Sequence, residues 1–216
     1  MGDIHGMLEE LERLIRSLPL EAGDELVFIG EYIDRGPNPK GTIDFLLNLQ
    51  KSYKWAFLIG NHEAMFLSYL GWKGSFYFGG EAFLKNGGDT TLQSYGFYDA
   101  DSFEMPPDHE IFFRNMAPYH IEDIYVFVDA GLSRDALRLS DPEYALAKEC
   151  PRDLLWQRST AEIPHSLGVT VVYGHTPMPG LQVRWNLPYT IGIDTGCVYG
   201  GTLTAICLTE ESIFSS

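Results

Sequence analysis

An α/β fold with a mixed sheet or two packed sheets is predicted by two patterns in the sequence. Four short apolar runs alternate with helical segments, and two further strand-like runs close the chain. The four runs are Leu26 to Ile29, Trp55 to Ile59, Ile124 to Val128 and Val169 to Tyr173. They are too short for buried helices and rich in β-branched and aromatic residues, so they read as strands. Ahead of them, Met7, Leu8, Leu11, Leu14, Ile15 and Leu18 recur at spacings of three and four, with Glu9, Glu10, Glu12 and Arg13 opposite, which is an amphipathic helix. Ile43 to Leu49 and Ala64 to Leu70 continue the helical pattern, and Pro106-Pro107-Asp108 opens another helix over 106–117. Asn86-Gly87-Gly88 reads as a helix stop. Tyr189 to Ile193 and Thr202 to Leu208, joined by the glycine-rich stretch 196–201, are expected to form an antiparallel pair.

Composition narrows the class. The 216 residues are 45% hydrophobic and 13% aromatic, enough for one sizeable core in a single domain. Fifteen Lys and Arg against thirty Asp and Glu give a net charge of −15. Such a surface repels nucleic-acid backbones and anionic membranes, so neither is an expected partner, and an anionic substrate needs a local positive site. Cys150, Cys197 and Cys207 are odd in number and lack C-x-x-C spacing, which argues against a disulfide framework and for a reducing, cytoplasmic setting. No secretory leader or membrane-length apolar run is visible.

Each apolar run ends in a glycine or carboxylate followed by a metal-capable side chain: Gly30-Glu31, Gly60-Asn61-His62-Glu63, Asp129-Ala130-Gly131 and Gly174-His175-Thr176. Gly2-Asp3-Ile4-His5-Gly6 precedes the first helix in the same style. Ligands of open α/β sheets collect beyond the carboxyl ends of the strands, so the five clusters are expected to converge. Oxygen and imidazole donors without cysteine suit Mn, Fe or Zn pairs, and two such ions clamp a phosphoryl group.

GDIHG, GEYIDRGP, GNHEAM, NGGDTTLQSYG, VDAGL, LLWQRS, YGHTP and IDTGCVYGGTLTAICL occur in this order, nearly end to end. The set resembles the calcineurin-like metallophosphoesterases, and within them bacterial serine/threonine phosphoprotein phosphatases. The resemblance implies a four-layer αββα sandwich of two mixed sheets flanked by helices. It implies that Asp3 and His5 hold a first divalent ion, that Glu31 bridges two ions, and that Asn61, Asp129 and His175 complete the second. It also implies His62 as general acid, oriented by Asp34, with Arg35 and Arg158 clamping phosphate through guanidinium forks. Asp34 is expected to raise the His62 pKa. His109, His120 and His165 are left structural, and Tyr199 either borders the cleft or packs beside the closing turn.

Two positions and one element depart from the family pattern. Glu31 stands where the family has aspartate, and Asp129 where it has histidine. The added methylene shifts a carboxylate by about 1 Å, against a usual tolerance of about 0.2 Å in metal–ligand distance. The added negative charge weakens the field on an attacking water and favours Mn or Mg over Zn. The central strand that precedes GDIHG in the family is reduced to Met1, so Asp3 is expected to be mobile. The expected activity is hydrolysis of phosphate monoesters, foremost phosphoserine or phosphothreonine in proteins and then phosphotyrosine, impaired by Glu31 and Asp129. The alternatives are hydrolysis of dinucleoside polyphosphates and a weakly catalytic phosphate-binding protein. No oligomeric state is read from the sequence.

Overall fold

The computed structural model describes residues 1–158 and 163–216. In chain order the elements are α1 (Leu8–Ser17), β1 (Glu25–Phe28), α2 (Pro39–Leu49), β2 (Lys54–Phe57), α3 (Asn61–Tyr69), α4 (Gly88–Ser94), α5 (Pro107–Arg114), β3 (Tyr119–Glu122) and β4 (Tyr125–Val128). There follow α6 (Pro142–Lys148), α7 (Pro151–Trp156), β5 (Thr170–Tyr173), β6 (Arg184–Asn186), β7 (Thr190–Gly192), β8 (Thr204–Cys207) and β9 (Ser212–Ser215).

One sheet has the order β3-β4-β5-β7-β6, with β4, β5 and β7 parallel and the outer strands antiparallel. The other layer is built from the parallel pair β1-β2 and the antiparallel pair β8-β9. Met1 and Gly2 join the two pairs. The Met1 amino group donates to the Val27 carbonyl at 2.7 Å, Ile29 N donates to Met1 O, and Gly2 N donates to Thr204 O.

Strand alternation decides what each face covers. Phe127 and Val172 point inward and meet Ile29, Leu58, Ile191 and Ile193 in a buried cluster between the layers. Their neighbours Val126, Val128, Val171 and Tyr173 point outward and pack under Ala145 and Leu146 of α6 and Leu154 and Leu155 of α7. On the opposite outer face, Phe28 and Phe57 pack against Leu11 and Leu14 of α1, Ile43 and Leu46 of α2, and Phe112 of α5. The result is the expected sandwich of sheets between helices.

Two expectations are corrected. The two closing runs do not pair with each other: β7 lies between β5 and β6, and β8 pairs with β9. A three-residue turn, closed by Tyr189 N on Asn186 O, brings β6 beside β7, a more local closure than the glycine-rich link. Asp3 is not loosely held. It is 5% exposed, because Met1 and Gly2 are pinned between both strand pairs. α4, α6, α7, β3, β6 and β9 escape a periodicity reading because each is only three to seven residues long.

No described helix is long and apolar enough to cross a membrane. Ile191 is fully buried between the sheets whereas Ile213 is 49% exposed. Ile191→Ala is therefore expected to cost about 2–5 kcal/mol in urea unfolding at fixed metal concentration, and Ile213→Ala no more than about 0.5 kcal/mol.

Candidate metal centre

The site lies beyond the carboxyl ends of β1, β2, β4, β5 and β7, where each chain segment turns sharply. Those turns are unusual. Of eight non-glycine residues with positive φ among the described residues, five are His5, Glu31, Asp34, Arg35 and His175. Left-handed backbone is unfavourable for residues with a Cβ and persists only where surrounding contacts fix it.

Those contacts are present. Glu63, in the first turn of α3, accepts from Glu31 N at 3.1 Å and Gly60 N at 3.0 Å through one oxygen. Its other oxygen takes Tyr32 N at 2.9 Å and Ile33 N at 3.3 Å. Asp34 N donates to Thr91 Oγ1 at 3.0 Å, and Arg35 N to Gly87 O at 3.1 Å. His5 N donates to Glu31 O at 2.7 Å. His175 N donates to the Asp3 carboxylate at 3.0 Å. A Cβ on Gly60 would fall 2.5 Å from Glu31 Oε1, and one on Gly174 would fall 2.3 Å from Asp3 Oδ1. Glycine is required at both positions for these carboxylates to fit.

Two groups of ligand atoms result. One comprises His5, Glu31 and His62, the other Glu31, Asp129 and His175, and within each group the atoms lie within 4.8 Å of one another. Glu31 is common to both. Its Oε2 is 3.3 Å from His5 Nε2 and 3.5 Å from His62 Nε2, while Oε1 accepts from His62 N at 3.2 Å. Asn61 joins the second group through Oδ1, 3.0 Å from His175 Nδ1, and its backbone N–H donates to Asp129 Oδ2 at 3.2 Å. Asp3 enters by its contact with His175.

These residues fit divalent cations. His5 Nδ1 donates to Ile33 O at 2.9 Å, which leaves the Nε2 lone pair facing the cluster, where Arg35 Nη1 approaches to 2.7 Å. A backbone acceptor on the far nitrogen is the usual arrangement for a ligating imidazole. Asp129 Oδ1 and His175 Nε2 are buried with no hydrogen-bond partner. Burial raises the carboxyl pKa of Asp3, Glu31 and Asp129 well above the ordinary range, and repulsion among these and the neighbouring acids Asp194 and Glu63 adds to it. Burial pushes His5 down, helped by His62 and Arg35, and brings His175 to about 3, helped by Arg158. Neutral imidazoles beside carboxyls that cannot all ionise unaided form a donor set suited to hard or borderline cations.

His62 meets Asp34 Oδ2 through Nδ1 at 2.5 Å. The expectation that Asp34 raises the His62 pKa is reversed: burial and then Arg35 hold it well below its ordinary value. Burial likewise raises Asp34. Both directions favour a neutral pair that shares one proton across the short contact and keeps the second on Nε2.

Arg35 lies 5.5 Å from the ring centroid of exposed Tyr199, which therefore borders the site. Arg158 is exposed but close enough to depress His175; the last residue of its LLWQRS motif, Ser159, lies outside the described residues. His109 is engaged by Tyr95 and Asp44, His120 by Glu25, and His165 by Tyr189 O. Three residues near the site were given no role of their own from the sequence. Asp194 shares a side-chain hydrogen bond with Asp3 and accepts from Gly196 N at 2.9 Å. Ile193-Asp194 carries the same signal as the other clusters, an apolar run ending in a carboxylate. Glu63 is readable as the third residue of a helix opened by Gly60. Thr91 has no local signal.

A sequence model of the calcineurin-like phosphoesterases matches residues 1–191. The chain belongs to that family. All of it aligns at 27% identity with 91% of an asymmetrical bis(5′-nucleosyl)-tetraphosphatase of a Geobacillus species, and at 28% with 90% of the enzyme of that name from Oceanobacillus iheyensis. A cold-active protein-tyrosine phosphatase of a psychrophilic Shewanella shares the fold, with TM-score 0.59 and 15% identity over 94% of this chain and 73% of that one. This phosphoesterase is thus a hydrolase of the metal-binding type.

The shifted carboxyls set its pH response. Above about pH 7.5 the histidines, ordinarily near 6.5, are neutral in both folded and unfolded states. Burial makes the carboxyls of Asp3, Glu31 and Asp129 keep their protons to higher pH in the folded chain than in the unfolded one, and Glu63, raised to about 7, has largely lost its own by then. Unfolding then releases protons, so the metal-free protein loses stability as pH rises from about 7.5 to 9. The buried Met1 amine, lowered to about 5, acts in the opposite sense but is outnumbered. Melting temperatures in chelator should fall across this window, and saturating Mn should flatten the fall. A rise in chelator would show that the carboxyls ionise without an ion.

Proposed function

We propose that this phosphoesterase hydrolyses dinucleoside polyphosphates. The observation that carries phosphoryl hydrolysis is Glu31 shared by two ligand groups beside Arg35 and His62. The nucleotide is favoured by relatives of that named activity that align over the whole chain. A phosphoserine or phosphothreonine side chain offers the same phosphoryl group to the site, so it serves as the competing substrate in the test.

Asp3, His5 and Glu31 would hold one divalent ion, as the family pattern implies, with His62, which the geometry also brings to Glu31, kept for the proton; Glu31, Asn61, Asp129 and His175 would hold a second. The three carboxylates favour Mn, with Mg, Fe and Zn following. When bound, the ions supply Lewis-acid polarisation of the phosphoryl group and of the water that attacks it. The side chains do the rest. Arg35 presents its fork to the phosphoryl oxygens, and Arg158 meets the charge farther out. His62 holds a proton on Nε2 for the departing oxygen, and Asp34 fixes the ring through Nδ1. An arriving phosphate pairs with Arg35 and so removes the second cause of the low His62 pKa, which makes the proton easier to hold until it is needed.

The test compares kcat/KM for diadenosine tetraphosphate, a phosphoserine peptide and 4-nitrophenyl phosphate with Mn. The dinucleotide is expected to be the best substrate; a better phosphopeptide would overturn the nucleotide reading. His62→Asn should lower kcat by about 100-fold with metal content unchanged. Arg35→Ala should raise KM and weaken inhibition by inorganic phosphate, and unchanged inhibition would place the clamp elsewhere.

A further inference from the structure

We propose that Thr91 is a positioning residue that fixes the Asp34–His62 pair, an inference resting on the proton-donor role given to His62 above. Thr91 is fully buried in α4, on an element that contributes nothing to the ligand groups. Its hydroxyl makes two contacts with one residue. It donates to Asp34 Oδ1 at 2.5 Å and accepts from Asp34 N at 3.0 Å.

The consequence is geometric. Asp34 has φ 69°, a conformation that a residue with a Cβ avoids. The Thr91 oxygen gives its N–H a partner in that conformation. The Thr91 proton occupies Oδ1 and thereby leaves Oδ2 as the oxygen that meets His62 Nδ1 at 2.5 Å. One hydroxyl therefore sets both the backbone and the carboxyl rotation on which the His62 ring depends.

α4 is itself held in register with this loop. Gly87, at its start, accepts from Arg35 N at 3.1 Å. Ser94, at its end, accepts from Lys40 N at 3.0 Å and donates back to Thr91 O at 3.0 Å. The segment beginning Asn86-Gly87-Gly88 is therefore more than a helix boundary: it is the back wall of the Asp34-Arg35 turn. Valine at position 91 keeps the volume and removes the hydroxyl, leaving Asp34 N buried without a partner and Asp34 Oδ1 free to rotate.

Two readouts separate positioning from bulk structure. The first is turnover with Mn of phenyl phosphate and 4-nitrophenyl phosphate, whose leaving groups differ in their need for a proton. Thr91→Val is expected to lower kcat on phenyl phosphate about tenfold more than on 4-nitrophenyl phosphate, and Thr91→Ser to stay within about threefold of the parent on both. The second is the far-downfield proton of the short Asp34–His62 contact in the metal-free protein, identified by its loss in His62→Asn. It should persist in Thr91→Ser and move upfield or vanish in Thr91→Val. Equal losses on both aryl phosphates, or an unmoved proton in Thr91→Val with its melting transition intact, overturns the proposal. If the parent turns over neither aryl phosphate with Mn, Mg, Fe or Zn, the phosphoesterase role of His62 fails, and the proton signal still decides whether Thr91 sets the pair.

Discussion

Four backbone N–H groups converge on one buried carboxylate, that of Glu63, and the site is assembled around that convergence. Glu31, Tyr32 and Ile33 leave β1 in a turn that places Glu31 in left-handed backbone, and their amides would be orphaned without Glu63. Gly60 N, at the opening of α3, binds the same carboxylate and so fixes the helix N-terminus against the turn. His62 N, one turn position on, is then free to reach Glu31 Oε1. A single side chain thus aligns the end of β1 with the start of α3, and through them the residue common to both ligand groups. Four donors would ordinarily lower a carboxyl pKa, yet Glu63 is pushed up to about 7. Burial outweighs the hydrogen bonds, and the acids around it add to the effect.

This excess of buried acid is the cost that the fold carries for its function. Asp3, Glu31, Asp129, Asp194 and Glu63 lie within one region, with the Arg35 guanidinium reaching into it and that of Arg158 near enough to act on Asp194. In the absence of cations such a cluster stays partly protonated, because neutral carboxyls are cheaper than unpaired buried charges. Cation binding then couples to proton release, and the stability of the folded chain becomes a function of the ions around it. The same crowding explains why Arg35 lies against His5 Nε2: a nitrogen lone pair and a shared negative field are the acceptors within its reach.

Much of the fold was legible because short apolar runs and the residues that end them are local signals. Val126 to Val128 and Val171 to Tyr173 read as strands from their length and composition, but which residue faces which core is seen only in the structure, because both runs are apolar throughout. The convergence of distant clusters followed from the rule that ligands gather at strand ends, and Asp194 could have been added by applying that rule once more. What stayed illegible was non-local. The position of β7 between β5 and β6 depends on a choice between two turns, neither of which carries a decisive residue. Thr91 lies on a helix too short to show periodicity, and its hydroxyl acquires meaning only beside Asp34, far away in sequence. The pKa of His62 was misjudged because the pairing with Asp34 is visible in the motif whereas the depth of burial is not.

The two departures from the family pattern differ in how the structure absorbs them. Glu31 has a longer reach than aspartate, and the structure uses it: one oxygen is tied to the N-terminus of α3 and the other faces both His5 and His62. Gly60 leaves the space that the extra methylene needs, since any side chain there would collide with Oε1. Length at position 31 is therefore compensated by the absence of a side chain at position 60. Asp129 has no such compensation for its charge. One oxygen accepts from the backbone N–H of Asn61 and the other is unpartnered and buried among other acids. Geometry accommodates the first departure, while the second adds a buried acid that must keep its proton or meet a cation, so the coupling of ion binding to proton release is strongest beside Asp129 and His175.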